Sequence, residues 1–247
     1  AAKILSADVG SLAVDRSSVS KGESLLDTAK TLAAMNVDLV IVRHASSGAP
    51  HFLAQNLPVG VINAGDGQHA HPTQALLDIY SMKEKWGGIE GRKILIVGDV
   101  LHSRVARSNA IGLTKLGAEV VLIGPPTLLP PEMAYLGVRL SYDLDRELAG
   151  ADAVMALRLQ LERQRSGLFP SLREYNRLYG LTRERLARAA ADCLILHPGP
   201  MNRGVEIMSD VADSPRSLVE TQVTNGVAVR MALIYLLIGG GTTDVVA

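Results

Sequence analysis

His71-Pro72-Thr73-Gln74-Ala75-Leu76-Leu77-Asp78 stands between two unlike hydrophobic patterns. Before it, Val59 to Gly67 reads as a buried strand ending in the loop Asn63-Ala64-Gly65-Asp66-Gly67. After it, Ala75, Leu76, Ile79, Tyr80 and Met82 recur at helical spacing. Pro72 sits at a first-turn position, where its missing N–H costs nothing. A histidine and a carboxamide are thus placed at the mouth of a strand-loop-helix unit, where open α/β sheets bind ligands.

The same alternation runs outward in both directions. Upstream, Gly22 to Met35 reads as a helix, Asp38 to Val42 as a strand, Gly48 to Gln55 as a helix and Val59 to Asn63 as a strand. After the helix Pro72 to Trp86, the run Gly87-Gly88-Ile89-Glu90-Gly91 reads as a hinge. A second series follows, with strands at Lys93 to Val97, Glu119 to Ile123, Val138 to Leu140, Ala153 to Ala156 and Cys193 to Leu196. Its helices are expected at Ser103 to Leu116, Pro131 to Leu136, Leu144 to Leu148, Ser171 to Tyr179 and Thr182 to Ala190. The segment Val223 to Ile238 is apolar on nearly every side and reads as a buried helix. The expected fold class is therefore α/β, two domains, each a largely parallel sheet flanked by helices.

Composition narrows the function. The 247 residues carry 25 basic and 25 acidic side chains, so there is no polyanion footprint and nucleic acid is not an expected partner. Cys193 is the single cysteine, which favours a reducing, cytoplasmic setting without disulfides. The apolar runs read as shorter than the ~18 residues of a membrane span, so no membrane association is expected.

Four groups could carry chemistry. Ser17-Ser18-Val19-Ser20-Lys21-Gly22-Glu23 offers hydroxyls and an ammonium before a helix, either an anion cradle or simply a capping box from Ser20 to Glu23. Arg43 in Val42-Arg43-His44 follows a strand, where its guanidinium fork suits phosphate or carboxylate, or merely snorkels over the sheet edge. His71 and Gln74 share a helix face and could meet one polar ligand group, although a lone histidine more often caps backbone. No second ligand at metal spacing accompanies them. Lastly, Arg104 and Arg158 follow two strands and suit a dicarboxylate, while Arg163 and Arg165 read as a solvated basic loop. No GxGxxG, GxSxG or P-loop is present.

These residues, together with Gly98-Asp99, Arg158-Leu159-Gln160, Glu162-Arg163 and His197-Pro198-Gly199-Pro200-Met201-Asn202-Arg203-Gly204, closely resemble the catalytic chains of the aspartate/ornithine carbamoyltransferase superfamily, on the aspartate side. The ornithine branch is expected to show His-Cys-Leu-Pro, where this chain reads His197-Pro198-Gly199-Pro200. The resemblance implies carbamoyl transfer from carbamoyl phosphate to the amine of L-aspartate, giving N-carbamoyl-L-aspartate and phosphate in pyrimidine biosynthesis, with no cofactor and no metal. It implies that Arg43 contacts the phosphate and carbonyl oxygen, His71 the same oxygen, and Gln74 the carbamoyl NH2. Arg104 and Arg158 would hold the aspartate carboxylates, with Gln160 positioning the loop. Backbone carbonyls at Pro198 and Gly199 would receive the carbamoyl amide and the incoming amine. Ser17 and Lys21 would come from a neighbouring subunit of a homotrimer, Lys21 serving both substrates. Regulatory chains or a dihydroorotase are further partners the resemblance admits.

By the same resemblance, residues 1–86 form a carbamoyl phosphate domain completed by a C-terminal helix in 223–247, and residues 87–222 an aspartate domain. Ala1 to Leu5 reads as the tail of a helix already under way. The family's Ser-Thr-Arg-Thr-Arg phosphate motif does not occur, so the first domain is expected to be N-terminally incomplete. The competing readings are a carbamoyltransferase for another amino acid, ornithine-like, and an inactive trimer-forming homologue.

Overall fold

In the computed structural model, residues 1–12, 24–160 and 168–239 are described. They divide into two units, 1–67 with 226–247, and 68–225. The first begins with a short 3-10 turn, Ala2–Leu5, and continues with helix α1 (Leu25–Ala34), strand β1 (Leu39–His44), helix α2 (Ala49–Asn56) and strand β2 (Gly60–Asp66). Ser24 caps α1, its Oγ accepting from the Asp27 N–H at 3.1 Å. The capping box expected from Ser20 to Glu23 lies outside the described residues. β1 and β2 pair in parallel, with Val42 opposite Asn63 and His44 opposite Asp66. Ala29, Val42, Leu53 and Leu57 form the core beneath them.

The second unit holds α3 (Pro72–Trp86), β3 (Lys93–Val97), α4 (Arg104–Lys115), β4 (Glu119–Ile123), β5 (Arg139–Ser141), α5 (Leu144–Glu147) and β6 (Ala153–Ala156). Then come α6 (Leu172–Tyr179), α7 (Arg183–Leu186), β7 (Leu194–Leu196), α8 (Ser209–Ala212) and the start of α9 (Val219–Ile238). Its five strands are all parallel, in the order β5-β4-β3-β6-β7. Both faces are covered, as continuous apolar strands require. Ile94 and Ile96 pack on one side with Ala106, Ala110 and Leu113 of α4 and Met82 of α3. Leu95 and Val97 face the other side with Tyr175, Leu144 and Ile207. From β3 the chain winds outward through β4 and β5, then returns to β6 on the opposite flank. That reversal puts a topological switch point between the carboxyl ends of β3 and β6.

Three local expectations change. The stretch Pro131–Leu136 forms a 3-10 helix, because Pro130 precedes it, Pro131 opens it and Gly137 ends it at φ 76°, leaving too few residues for an α-helix. The expected helix Thr182 to Ala190 is a single turn, α7, capped by Thr182. The expected buried terminal helix, α9, is largely exposed: Val223 is 70% and Tyr235 63% exposed, while Gln222, Asn225 and Ile234 are buried. An evenly apolar sequence has no stripe to reveal its inner face, and here polar residues supply part of that face. With 20 residues, α9 is also long and apolar enough to cross a membrane by length and composition, against the expectation of shorter runs. Its Gln222 and Asn225 nevertheless hydrogen-bond to α3 within the second unit.

Packing also groups α3 with the second unit, whereas the sequence reading placed it in the first. The cause is visible along its length. Gly112 of α4 admits Ile79, since a Cβ there would stand 2.7 Å from Ile79 Cδ1. Asn225 Nδ2 donates to Ser81 Oγ and Glu84 Oε2, both at 3.1 Å.

Candidate functional site

In the first unit, Arg43 lies inside β1 rather than just after it, at the irregularity between Val42 and His44 where the register shifts. Its side chain is exposed. Around it two loops are knitted through buried Asp66, which accepts from the Gly48 N–H and from Asn63 Nδ2 at 3.0 Å. The Gly67 N–H donates to the His44 carbonyl at 2.9 Å. Only glycine fits there, because φ is +45° and a Cβ would meet Ser47 Oγ at 2.5 Å. Ser17 and Lys21 lie outside the described residues, as do Glu162, Arg163 and Arg165.

In the second unit, His71 occupies the N-cap of α3 without a side-chain bond to the helix N–H groups, and its Nδ1 lies 3.4 Å from Thr73 Oγ1. Its N–H donates to Ser108 Oγ of α4 at 2.8 Å. Gln74 is 8% exposed and its Nε2 donates inward to Asp78 Oδ1 at 2.9 Å. Tying down the NH2 end turns the carboxamide into an oriented acceptor, the polarity that suits an N–H donor on a ligand.

The switch point gathers three loops. After β3, Gly98 adopts φ +136°, and a Cβ there would lie 3.0 Å from the Leu157 carbonyl oxygen, so the strand ends approach closely only with glycine. Asp99, fully buried, accepts from the His102 backbone N–H at 3.2 Å and pairs with its Nδ1 at 2.9 Å. Ser103 caps α4 by accepting from the Ala106 N–H, which places Arg104 in the first turn, 8% exposed. After β6, Arg158 and Gln160 are half-buried, and Gln160 Nε2 donates to the His102 carbonyl at 3.1 Å. After β7, Asn202 Nδ2 reaches the Leu159 carbonyl at 3.4 Å. The loops bearing Arg104, Arg158, Gln160, Pro198 and Gly199 are therefore joined by side-chain-to-backbone bonds.

His197 organises the third loop from below. It is buried, its Nδ1 accepts from the Gly199 N–H at 2.9 Å, and its Nε2 lies 3.3 Å from Glu206 Oε1. An accepting Nδ1 puts the ring proton on Nε2, which then donates to Glu206. Burial, then the nearby Glu206 and Asp99, hold the Tyr175 phenol well above its ordinary range. Burial likewise pushes the Cys193 thiol up to about 12, so it stays protonated and unreactive. Among the described residues no group of three His, Cys, Asp or Glu side chains could hold a metal ion.

Asp78, Asn109, Gln222 and Glu206 were not anticipated as site residues. For Asp78 a signal existed, since it stands four residues after Gln74, the spacing of a helical side-chain pair. For Gln222, contributed from 144 residues away, local sequence carries none.

The chain matches two family models, the carbamoyl-P binding domain of aspartate/ornithine carbamoyltransferase over residues 1–84 and the Asp/Orn binding domain over residues 90–237. It is 67% identical over 246 residues to the aspartate carbamoyltransferase catalytic subunit of Desulfitobacterium hafniense, covering 100% of this chain and 79% of that one. Among solved structures it is similar to aspartate transcarbamoylase from Trypanosoma cruzi in complex with carbamoyl phosphate and aspartate. There the TM-score is 0.83 and the identity 27%, covering 96% of this chain and 78% of that one. It is also similar to ornithine carbamoyltransferase from Pyrococcus furiosus, with a TM-score of 0.78 and 30% identity, covering 90% and 72% respectively.

Proposed function

The chain belongs to the aspartate/ornithine carbamoyltransferase family, and we propose that it moves the carbamoyl group of carbamoyl phosphate to the amine of L-aspartate, releasing N-carbamoyl-L-aspartate and phosphate. The observation that carries the choice of an acidic acceptor is the tied set of loops at the switch point, which bears two arginines, Arg104 and Arg158. A pair of guanidinium forks matches two carboxylates and repels a cationic side chain such as that of ornithine.

In this reading the neutral amine attacks the carbamoyl carbon, and charge builds on the carbonyl oxygen. Arg43 and His71 stabilise that oxygen, as donors aimed at a developing oxyanion do. Gln74 accepts from the carbamoyl NH2 through Oε1, and the carbonyls at Pro198 and Gly199 receive N–H groups of the amide and amine. The C–O bond to phosphate breaks, and the leaving phosphate takes the proton that the amine sheds, so no side-chain base is required. Arg104 and Arg158 grip the aspartate carboxylates and Gln160 holds their loop. Ser17 and Lys21 of a neighbouring copy complete the site in a homotrimer, in the cytoplasm. The exposed apolar side chains of the first unit, among them Ile41, Phe52, Leu236 and Leu237, give a second copy something to cover.

The test is to incubate the protein with carbamoyl phosphate and either L-aspartate or L-ornithine and to measure the carbamoylated product. Carbamoyl-aspartate is expected. Citrulline in its place would overturn the acceptor, and no product from either would overturn the activity.

A further inference from the structure

Asp78 is fully buried, and three carboxamides converge on its carboxylate. Gln74 Nε2 and Gln222 Nε2 donate to Oδ1 at 2.9 and 2.7 Å, and Asn109 Nδ2 donates to Oδ2 at 2.8 Å. The Gln222 amide is in turn fixed at its other end, where Oε1 accepts from the His197 N–H at 3.0 Å. From His197 the chain of bonds continues through Nδ1 to the Gly199 N–H, and through Glu206 Oε1 to the Asn202 N–H. One continuous run of hydrogen bonds, buried from Gln74 as far as His197, thus leads from the Gln74 side chain to the Pro198–Gly199 turn.

We infer that Asp78 and Gln222 are positioning residues for carbamoyl phosphate, a buried relay that holds the Gln74 carboxamide and the Pro198–Gly199 carbonyls in register with one another. The inference rests on the reading of Gln74 and that turn as the carbamoyl site. Its physical basis is polarity. An amide can turn end for end at little steric cost, and the wrong end would present NH2 to NH2. A carboxylate offers acceptors only, so it forces each amide that reaches it to arrive nitrogen first. Gln74 is left with oxygen outward, and Gln222 with oxygen toward His197. Burial raises the cost of any member losing its partner, which keeps the set in one arrangement. Neither Asp78 nor Gln222 needs to touch substrate.

Steady-state kinetics of the full chain test this with Gln74→Ala, Gln222→Met and their double variant. Each single variant is expected to raise KM for carbamoyl phosphate about tenfold and to leave KM for aspartate unchanged. The double variant should then exceed Gln74→Ala by less than about threefold, because coupled residues share one effect. Independent multiplication of the two effects, or an unchanged KM in Gln222→Met, overturns the relay while leaving Gln74 as a ligand. An unchanged KM in Gln74→Ala overturns the site reading and the relay with it. Asp78→Asn replaces the all-acceptor carboxylate by an amide that no longer forces Gln74 and Gln222 to arrive nitrogen first, so it should raise KM for carbamoyl phosphate about tenfold and leave KM for aspartate unchanged. An unchanged KM for carbamoyl phosphate in Asp78→Asn overturns the relay even where Gln222→Met does not fold.

Discussion

Asp78 on α3 and Glu147 on α5 are both buried carboxylates of the second unit, and the protein gathers them in by opposite means. Asp78 is met by the neutral amides of Gln74, Asn109 and Gln222. Glu147 is met by the two-pronged guanidinium of Arg139, at 2.6 and 2.7 Å, with Lys93 at 3.6 Å. A guanidinium offers donors only, so Arg139 neutralises Glu147 and passes on to nothing but another carboxylate, Glu119 Oε1 at 3.0 Å. An amide satisfies one oxygen and still presents an oxygen of its own at the far end. At the outer strand β5, where only cohesion is asked for, charge pairing suffices. Around α3, where direction must be passed to a ligand, amides are used.

If orientation is what the α3 region supplies, its largest effect should be on turnover. His71→Ala is expected to lower kcat by ~10²-fold, the usual cost of losing one oxyanion donor. Unchanged turnover in a stopped assay of product formation would remove His71 from the mechanism. Arg158→Ala comes next, and it addresses the acceptor. Loss of a charged hydrogen-bonding group is worth ~2 kcal/mol, or about 30-fold, and should appear in KM for aspartate with carbamoyl phosphate KM unmoved. Equal aspartate kinetics in variant and parent would refute the role. Gln160→Leu is smaller, about fivefold on the same constant, because it removes one neutral bond to the His102 carbonyl while leaving both arginines in place.

Much of this was legible in the residues. Strands β3, β4 and β6 and helix α3 fall where alternation and periodicity placed them, because β3, β4 and α3 are strongly patterned runs closed by Gly98, Gly124 and Gly87, and β6 is a short apolar run that ends before Arg158. Arg104 could be placed at a helix start because Ser103 is a good cap. What was hidden depends on partners distant in sequence. Asn225 lies in the segment read as apolar on nearly every side and Gln222 just before it, yet both are buried contacts of α9 with α3. The exposure of Val223 and Tyr235 was hidden for the same reason, since hydropathy does not say what lies alongside. β1 runs through His44, beyond the expected end at Val42, because Asp66 of β2 continues the pairing past the bulge. Pattern thus revealed the scaffold and the charged groups at its edge, but not the amides that orient them.

The smallest predicted effect separates the two kinds of carboxylate most cleanly. The Arg139 guanidinium, with Lys93 and Ser141 beside it, holds the Glu147 carboxyl below the usual range against the opposing effect of burial. A carboxyl lowered in the folded state contributes stability that is fully present above its unfolded value of roughly 4.3 and disappears as pH falls through the folded value. Because Arg139 is 47% exposed, solvent screening limits the pair to about 1 kcal/mol at neutral pH. Glu147→Gln should therefore lower Tm by a few degrees at pH 7 and converge with the parent in strong acid, where Glu147 is protonated in both states. Its KM values for carbamoyl phosphate and aspartate should not move. A change in either KM would mean that the Arg139 pair also transmits orientation, and the contrast between charge for cohesion and amides for direction would fail.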